Sequence, residues 1–307
     1  MPFCEADPWR QQYFEGVPCP PEVRIPAEDP DAYAWNPQHR WVYDKLRLCA
    51  SQGLACAPHG VEPPEFPVFS KPITNLRGMG VGSRVLQSLA DYRRHLTAGH
   101  LWMTLLEGEH VSTDVAVVRG EAAWRRHSRG RPAGEGMFDY WTIEAAARPD
   151  LEAYLEAWLA RNLGSYTGMA NFETIGGRII DAHLRFADQW PELYGRDWLE
   201  AVVSLYQYGE WRFSEPERSN GYSIALFGLH GREYQHPPAA LVAQVRALPQ
   251  VTSVQITFHR DRPAAAHAMP PGGFRLAIVN SSDLQAGRAA LAVLARVFDV
   301  TDPRFAR

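Results

Sequence analysis

The stretch NFETIGGRIIDAHLR, residues 171–185, decides how the rest of the chain is read. Gly176 and Gly177 split it into the two arms of a hairpin. Along the second arm alternate residues share a face, so Asp181, His183 and Arg185 project to one side and Ile180, Ala182 and Leu184 to the other. A loop of Gly176 and Gly177 alone pairs Glu173 with Ile180 and turns its carboxylate away from Asp181. A longer loop, Ile175 to Gly177, sets Asn171 opposite Asp181 and puts Glu173 on the same face, and this is the expected arrangement. Two carboxylates and a neutral donor on one sheet face suit Mg²⁺, a hard cation usually held by one or two carboxylates plus substrate phosphates. The expected metal ligands are therefore Glu173, Asp181 and His183. The plainer alternative is a surface strand on which Asp181 and Arg185 neutralise each other.

Upstream, residues 70–83 read SKPITNLRGMGVGS. A short β-rich run, FPVFSKP, ends in Lys71 before a proline, and a glycine-punctuated turn follows. One ammonium beside unobstructed backbone N–H groups suits a polyphosphate, with Arg77, Gly78, Met79 and Gly80 as the loop that would approach it. The order of residues is neither a Walker loop nor GxGxxG, so an ordinary β-turn stays open as an alternative. Further on, LWMTLLEGEHVSTD runs an apolar strand into a second strand through Glu107, Gly108 and Glu109. Thr104, Leu105 and Leu106 there can offer backbone groups to an adenine edge, and Glu107 and Glu109 can offer carboxylates to ribose hydroxyls.

Composition sharpens the lysine reading. Only Lys45 and Lys71 are lysines among the 31 basic residues. In a chain whose default cation is arginine, a retained ammonium marks a place where a compact point charge is needed. The 307 residues, 46% hydrophobic and 21% charged, suffice for a substantial core and exclude disorder. A net charge of -4 gives no field to recruit nucleic acid or an anionic membrane. No apolar run is long enough to span a bilayer, and the acidic N-terminus does not read as a signal peptide, so a cytoplasmic protein is expected. Cys4, Cys19, Cys49 and Cys56 form no metal-binding spacing and read as free thiols.

Four segments are expected: an irregular, proline-rich arm (1–40), a lysine helix and small lid (41–110), a core carrying the metal strand (111–216), and a C-terminal α/β lobe (217–307). Within them the spacing predicts helices over residues 39–52, 83–97, 151–164 and 196–211, with Ser83 capping the second, and a loop at RGRPAGEG.

Helix lysine, strand lysine, glycine loop, EGE connection and carboxylate hairpin follow one another in an order that resembles the ATP-grasp superfamily. The resemblance covers residues 41–190. It implies an α+β fold in which two lobes clamp the nucleotide, with both lysines on the phosphates, the glycine loop in a lid over them, and ATP and Mg²⁺ as cofactors. The family's Glu-x-Asn-x-Arg strand stands here as Asp181, His183 and Arg185, with a shorter carboxylate and an imidazole in place of an amide. Most members carry a preceding α/β domain where this sequence has residues 1–40, so substrate recognition is expected from the arm, from residues 124–131 or from the C-terminal lobe. The implied reaction activates a carboxylate as an acylphosphate for attack by an amine, with Lys71 and Arg185 as catalytic residues and small-molecule carboxylate and amine substrates. A homodimer is compatible with it. A small-molecule kinase and a nucleotide-binding module without turnover remain as alternatives.

Overall fold

The computed structural model describes residues 3–76, 78–215 and 217–301. The arm begins with β1 (Phe3–Cys4), α1 (Pro8–Gln11), β2 (Ile25–Pro26) and α2 (Asp29–Trp35), and β1 pairs parallel with β2. It is more ordered than an irregular strap, because its aromatic residues are anchored. Phe3 stacks on Phe14 with ring centroids 4.5 Å apart, and both lean edge-on against Phe186.

The lid follows: α3 (Lys45–Ala50), β3 (Cys56–Pro58), β4 (Val68–Pro72), β5 (Arg84–Leu86), α4 (Leu89–Arg94) and β6 (His100–Thr104), with its strands in the order β3-β6-β4-β5. The helix expected over 39–52 is broken in two. A 3-10 turn, Arg40–Tyr43, ends at Asp44, whose side chain accepts from the N–H groups of Leu46 and Arg47 and so starts a fresh helix at Lys45. The cap expected at Ser83 is likewise displaced: residues 84–86 pair with β4, and Ser88 caps α4 by accepting from the Asp91 N–H.

The main sheet comprises β7 (His110–Val118), β8 (Glu121–Gly134), β9 (Met137–Ile143), β10 (Gly168–Ile175), β11 (Arg178–His183), β12 (Gly221–Gly228), β13 (Val251–Ile256) and β14 (Phe274–Ser281). Its order is β11-β10-β7-β8-β9-β12-β14-β13, and every pairing is antiparallel. The loop expected at RGRPAGEG is instead the end of β8, turning at Glu135 and Gly136 into β9. Helices α5 (Pro149–Asn162), α6 (Trp198–Tyr208), α7 (Ala239–Arg246) and α8 (Leu284–Val297) complete the chain. The pairing of β12 with β9 carries the sheet without interruption from the core segment into the C-terminal one. Among the described residues, no helix is long and apolar enough to cross a membrane.

Strand alternation divides the core between the faces of the sheet. Val115, Val117, Ala170, Phe172 and Ile179 pack with Leu155, Trp158 and Leu159 of α5. Ala116 and Met169 face the other way, toward Trp198 and Val202 of α6 and the arm's Phe3 and Phe14. Helix α8 seats on β12 and β14 at Gly287, where an added Cβ would stand 2.4 Å from Ile224 Cδ1.

Trp198 is fully buried and meets the rings of Trp124, Phe186, Tyr194 and Trp211, joining α6, the sheet and the segment after β11. Trp198→Ala is expected to cost about 3–5 kcal/mol in urea unfolding. A loss below about 1 kcal/mol would show that this junction does not hold the two layers together.

Candidate active site

The hairpin of β10 and β11 closes by neither route weighed from the sequence. Its loop is Gly176 and Gly177, with Ile175 opposite Arg178, but the register then slips between Glu173 and Thr174. Ile180 is the extra residue of the resulting bulge, and Glu173 comes to lie directly opposite Asp181 and Asn171 opposite His183. The shared face of Glu173, Asp181 and His183 therefore arises from a bulge rather than from the three-residue loop.

That bulge organises the lysines. Lys71 Nζ donates to the carbonyl of Ile180, and Lys45 Nζ lies 2.9 Å from Asp181 Oδ1. Both lysines are buried, at 3% and 5% exposure for Lys45 and Lys71. They are held together by the start of α3, whose Lys45 N–H donates to the Ile73 carbonyl just beyond β4. Burial lowers the pKa of Lys71, with the neighbouring Lys45 charge acting in the same direction and Asp181 opposing it. Both lysines open onto a cleft of about 1250 Å³, bounded by the lid, the main sheet, the arm and the C-terminal strands.

A second cluster stands beside the first. Asp29, at the start of α2, accepts from His183 Nδ1 at 2.9 Å, from Arg185 Nε and Nη2 at 3.1 Å each, and from the Tyr43 hydroxyl at 3.1 Å. Burial pushes its carboxyl upward, but Arg185 and His183 more than offset this and hold it well below the usual carboxylate range. With His183 Nδ1 directed at Asp29, the ring turns Nε2 toward Glu173. That Nε2 is buried without a hydrogen-bond partner, and Glu173 Oε1 is 3.9 Å away. Glu173 in turn accepts from His110 Nε2 at 3.1 Å; against the upward push of burial, this bond and the nearby imidazoles bring its pKa down to about 2.

An unpartnered imidazole nitrogen facing a carboxylate oxygen fits a divalent cation. Asp181 belongs less clearly to that pair, since Lys45 already engages it. Among the described residues, Glu5, Asp7 and Glu28 form the group of acids whose ligand atoms all lie within 4.8 Å of one another, and Glu173, Asp181 and His183 do not close up in that way.

The other expected binding residues divide. Gly78, Met79 and Gly80 line the cleft, whereas Arg77 lies outside the described residues. Thr104 pairs with Val68 and gives its N–H to the Ala55 carbonyl, and Leu106 packs against the core cluster of Cys49, Leu101 and Met103. Leu105 is half-buried and Glu107 exposed, and neither lines the cleft. Gly176 tucks so closely under Glu107 that a Cβ there would lie 2.3 Å from its carbonyl oxygen. Glu109 does not reach the lysine cleft, contrary to the ribose role expected for it. The tight connector turns it outward to Arg129 and Arg148 at 3.1 and 2.9 Å, beside a separate cavity of about 550 Å³.

Asp29, Tyr43, His110 and Asp114 were not singled out from the sequence. A signal existed for His110 and Asp114: with Ser112 they fall on one face of an extended HVSTDV, opposite Val111 and Val115. Asp114 is buried and accepts from Asn171, Tyr194 and the Ala187 N–H, and burial raises its pKa to about 6. Asp29 had no local signal, because only the folded arm brings it to His183.

No family model matches the sequence, and no curated protein matches it. Solved structures do. An L-amino acid ligase from Bacillus licheniformis superposes with a TM-score of 0.63 at 12% identity, covering 94% of this chain and 82% of that one. N5-carboxyaminoimidazole ribonucleotide synthetase from Thermus thermophilus gives 0.55 at 18% identity, covering 85% and 73%. Biotin carboxylase from Campylobacter jejuni gives 0.57 at 12%, covering 89% and 74%. The chain has the ATP-grasp fold.

Because the folded pKa of Asp29 lies below its unfolded value, its pairing stabilises the protein above the unfolded value and is lost as pH falls toward the folded one. Asp29→Asn is expected to lower stability at neutral pH by about 3–5 kcal/mol, with the gap to wild type shrinking between about pH 5 and pH 2. A pH-independent gap in urea titrations would contradict the charge network.

Proposed function

We propose that the chain is an ATP-dependent ligase that activates a carboxylate as an acylphosphate for attack by an amine. The observation that carries this reading is the meeting of the chain's only two lysines at the bulged edge of β11, inside the large cleft. The likeness of fold to an L-amino acid ligase supports it.

Lys45 and Lys71 supply fixed positive charge to the triphosphate, and the Gly78, Met79 and Gly80 backbone closes over it from the lid. Lys71 is kept dry by the lid, which strengthens its field on bound phosphate. Glu173 and His183 would hold a magnesium ion; when bound, it neutralises charge on the phosphates as the acceptor carboxylate takes the terminal phosphoryl group. Arg185 gives its Nε and Nη2 to Asp29 and its Nη1 to the Phe186 carbonyl, so it acts through a rigidly placed charge rather than a free fork. Asp29 thereby orients both the arginine and the imidazole. The balanced reaction joins the acyl carbon to the amine nitrogen, releases phosphate and ADP, and gives up one proton from the amine.

Lys71→Ala is expected to cut nucleotide-dependent turnover by about 10²-fold or more while leaving the unfolding midpoint near wild type. Lys45→Arg should also lose activity, since a guanidinium cannot occupy the ammonium's place beside Asp181. ADP release assayed against panels of amino acids, organic acids and alcohols decides the class. Release that needs both a carboxylate and an amine supports the ligase; release with alcohols alone would make it a kinase, and binding without release a module lacking turnover. Since Lys71 is shifted down, nucleotide affinity should fall on the alkaline side at a pH below that of an ordinary lysine. Affinity that holds up to the ordinary lysine range would count against Lys71 as the phosphate contact.

A further inference from the structure

Residues 49–56 read CASQGLAC, and the fold brings the two ends of this stretch together. Beyond α3 the Leu54 N–H donates to the Cys49 carbonyl and the Gly53 N–H to the Ala50 carbonyl, each at 3.1 Å, with Gly53 at a φ of +70°. The chain therefore doubles back along α3 as it enters β3, and the Cys56 thiol lies 3.8 Å from the carbonyl of Leu46, which stands one turn before Cys49. Cys56 is also the cross-strand partner of Met103, whose thioether sulfur is 3.9 Å from Cys49 Sγ. The two free thiols thus meet where α3 packs on the lid sheet, and the Cys49 thiol donates to the Cys56 sulfur.

The two thiols are not equivalent. Cys49 is 2% exposed, and burial first, with the neighbouring Cys56 second, pushes its pKa up to about 12. Cys56 is half-buried on the edge strand of the lid; burial raises it as well, but the bond from Cys49 acts in the opposite direction. Cys56 is therefore the thiol that an oxidant meets, and Cys49 the one placed to resolve it. The loop between them is clamped to the main sheet: Gln52 Nε2 donates to the Ile179 carbonyl and Gln52 Oε1 accepts from the Ile179 N–H, both at 2.8 Å, beside the bulge of β11. Lys45 lies one turn before Cys49 on α3, and the charges of Lys71 and Asp181 act on the Cys49 thiol. A covalent bond between α3 and β3 would pull on the helix and the loop that hold Lys45 against Asp181.

We propose that Cys49 and Cys56 form a redox-sensitive dithiol, whose oxidation by a peroxide to a disulfide draws Lys45 away from Asp181 and weakens nucleotide binding. The effect on nucleotide rests on the ligase reading; the disulfide itself does not. The peroxide passes one oxygen to the Cys56 sulfur, giving a sulfenic acid and water. The Cys49 sulfur then bonds to the Cys56 sulfur, and the hydroxyl leaves with the Cys49 proton as a second water. Two thiols and one hydrogen peroxide thus give one disulfide and two waters, the sulfurs losing the two electrons that the peroxide gains. A thiol reductant reverses the step.

The test treats the full chain, carrying Cys4→Ser and Cys19→Ser, with hydrogen peroxide. Intact mass, calorimetric titration with a non-hydrolysable ATP analogue and Mg²⁺, and the ¹⁵Nζ signal of Lys45 are then compared with the untreated protein. The expected product is about 2 Da lighter, with Cys49 and Cys56 in one cross-linked peptide. It should bind the analogue about tenfold more weakly, show a shifted Lys45 signal, and return to the starting mass and affinity with dithiothreitol. Adding Cys49→Ser should stop the reaction at a sulfenic acid on Cys56, trapped by dimedone. Adding Cys56→Ser should leave the chain unoxidised, with the affinity of the reduced protein kept within about twofold. No reaction, a lasting mass gain in place of the cross-link, or a disulfide formed only between two chains overturns the proposal. So does a disulfide that leaves both the affinity and the Lys45 signal unchanged. If the reduced chain does not bind the analogue, the ligase reading fails, and the dithiol is judged on the mass and on the Lys45 signal.

Discussion

Two ammonium groups buried side by side repel each other and lose their hydration, and the rest of the site is arranged around tolerating that. Asp181 supplies one counter-charge and the bulged carbonyl of Ile180 a second acceptor, both on the edge strand of the main sheet. Because the lysines come from α3 and β4, the lid cannot leave the sheet without exposing or unpairing these groups. A bound polyanion would relieve the repulsion between the two ammonium groups.

The neighbouring Asp29 cluster follows the opposite logic. Here one carboxylate collects an imidazole, a guanidinium and a phenol, and every strong donor around it is satisfied. This fixes the arm against the end of β11 and fixes the His183 ring with Nε2 toward Glu173. One cluster is closed on itself and serves orientation, while the other keeps charge available to a ligand.

Much of this was legible in the sequence because it rests on local periodicity. The strands of the C-terminal segment, the α5 and α6 stripes, and the shared face of Asp181, His183 and Arg185 all follow from alternation or helical spacing. The scarcity of lysine marked Lys45 and Lys71 before any geometry was known. What escaped depends on contacts far apart in the chain. The bulge at Ile180 is set by pairing with β10, the outward turn of Glu109 by arginines on β8 and before α5, and the role of Asp29 by packing of the arm across a sequence separation of 154. Proline-rich composition hid the short helices of the arm and the carboxylate it delivers to the site.

The central claim is that both ammonium groups serve one ligand. With two lysines in the chain, ¹⁵Nζ-labelled lysine gives two side-chain signals, each assignable by substitution. On titration with a non-hydrolysable ATP analogue and Mg²⁺, both signals are expected to shift along the same binding curve. A shift of only one, or of neither while the analogue binds elsewhere, would contradict the account.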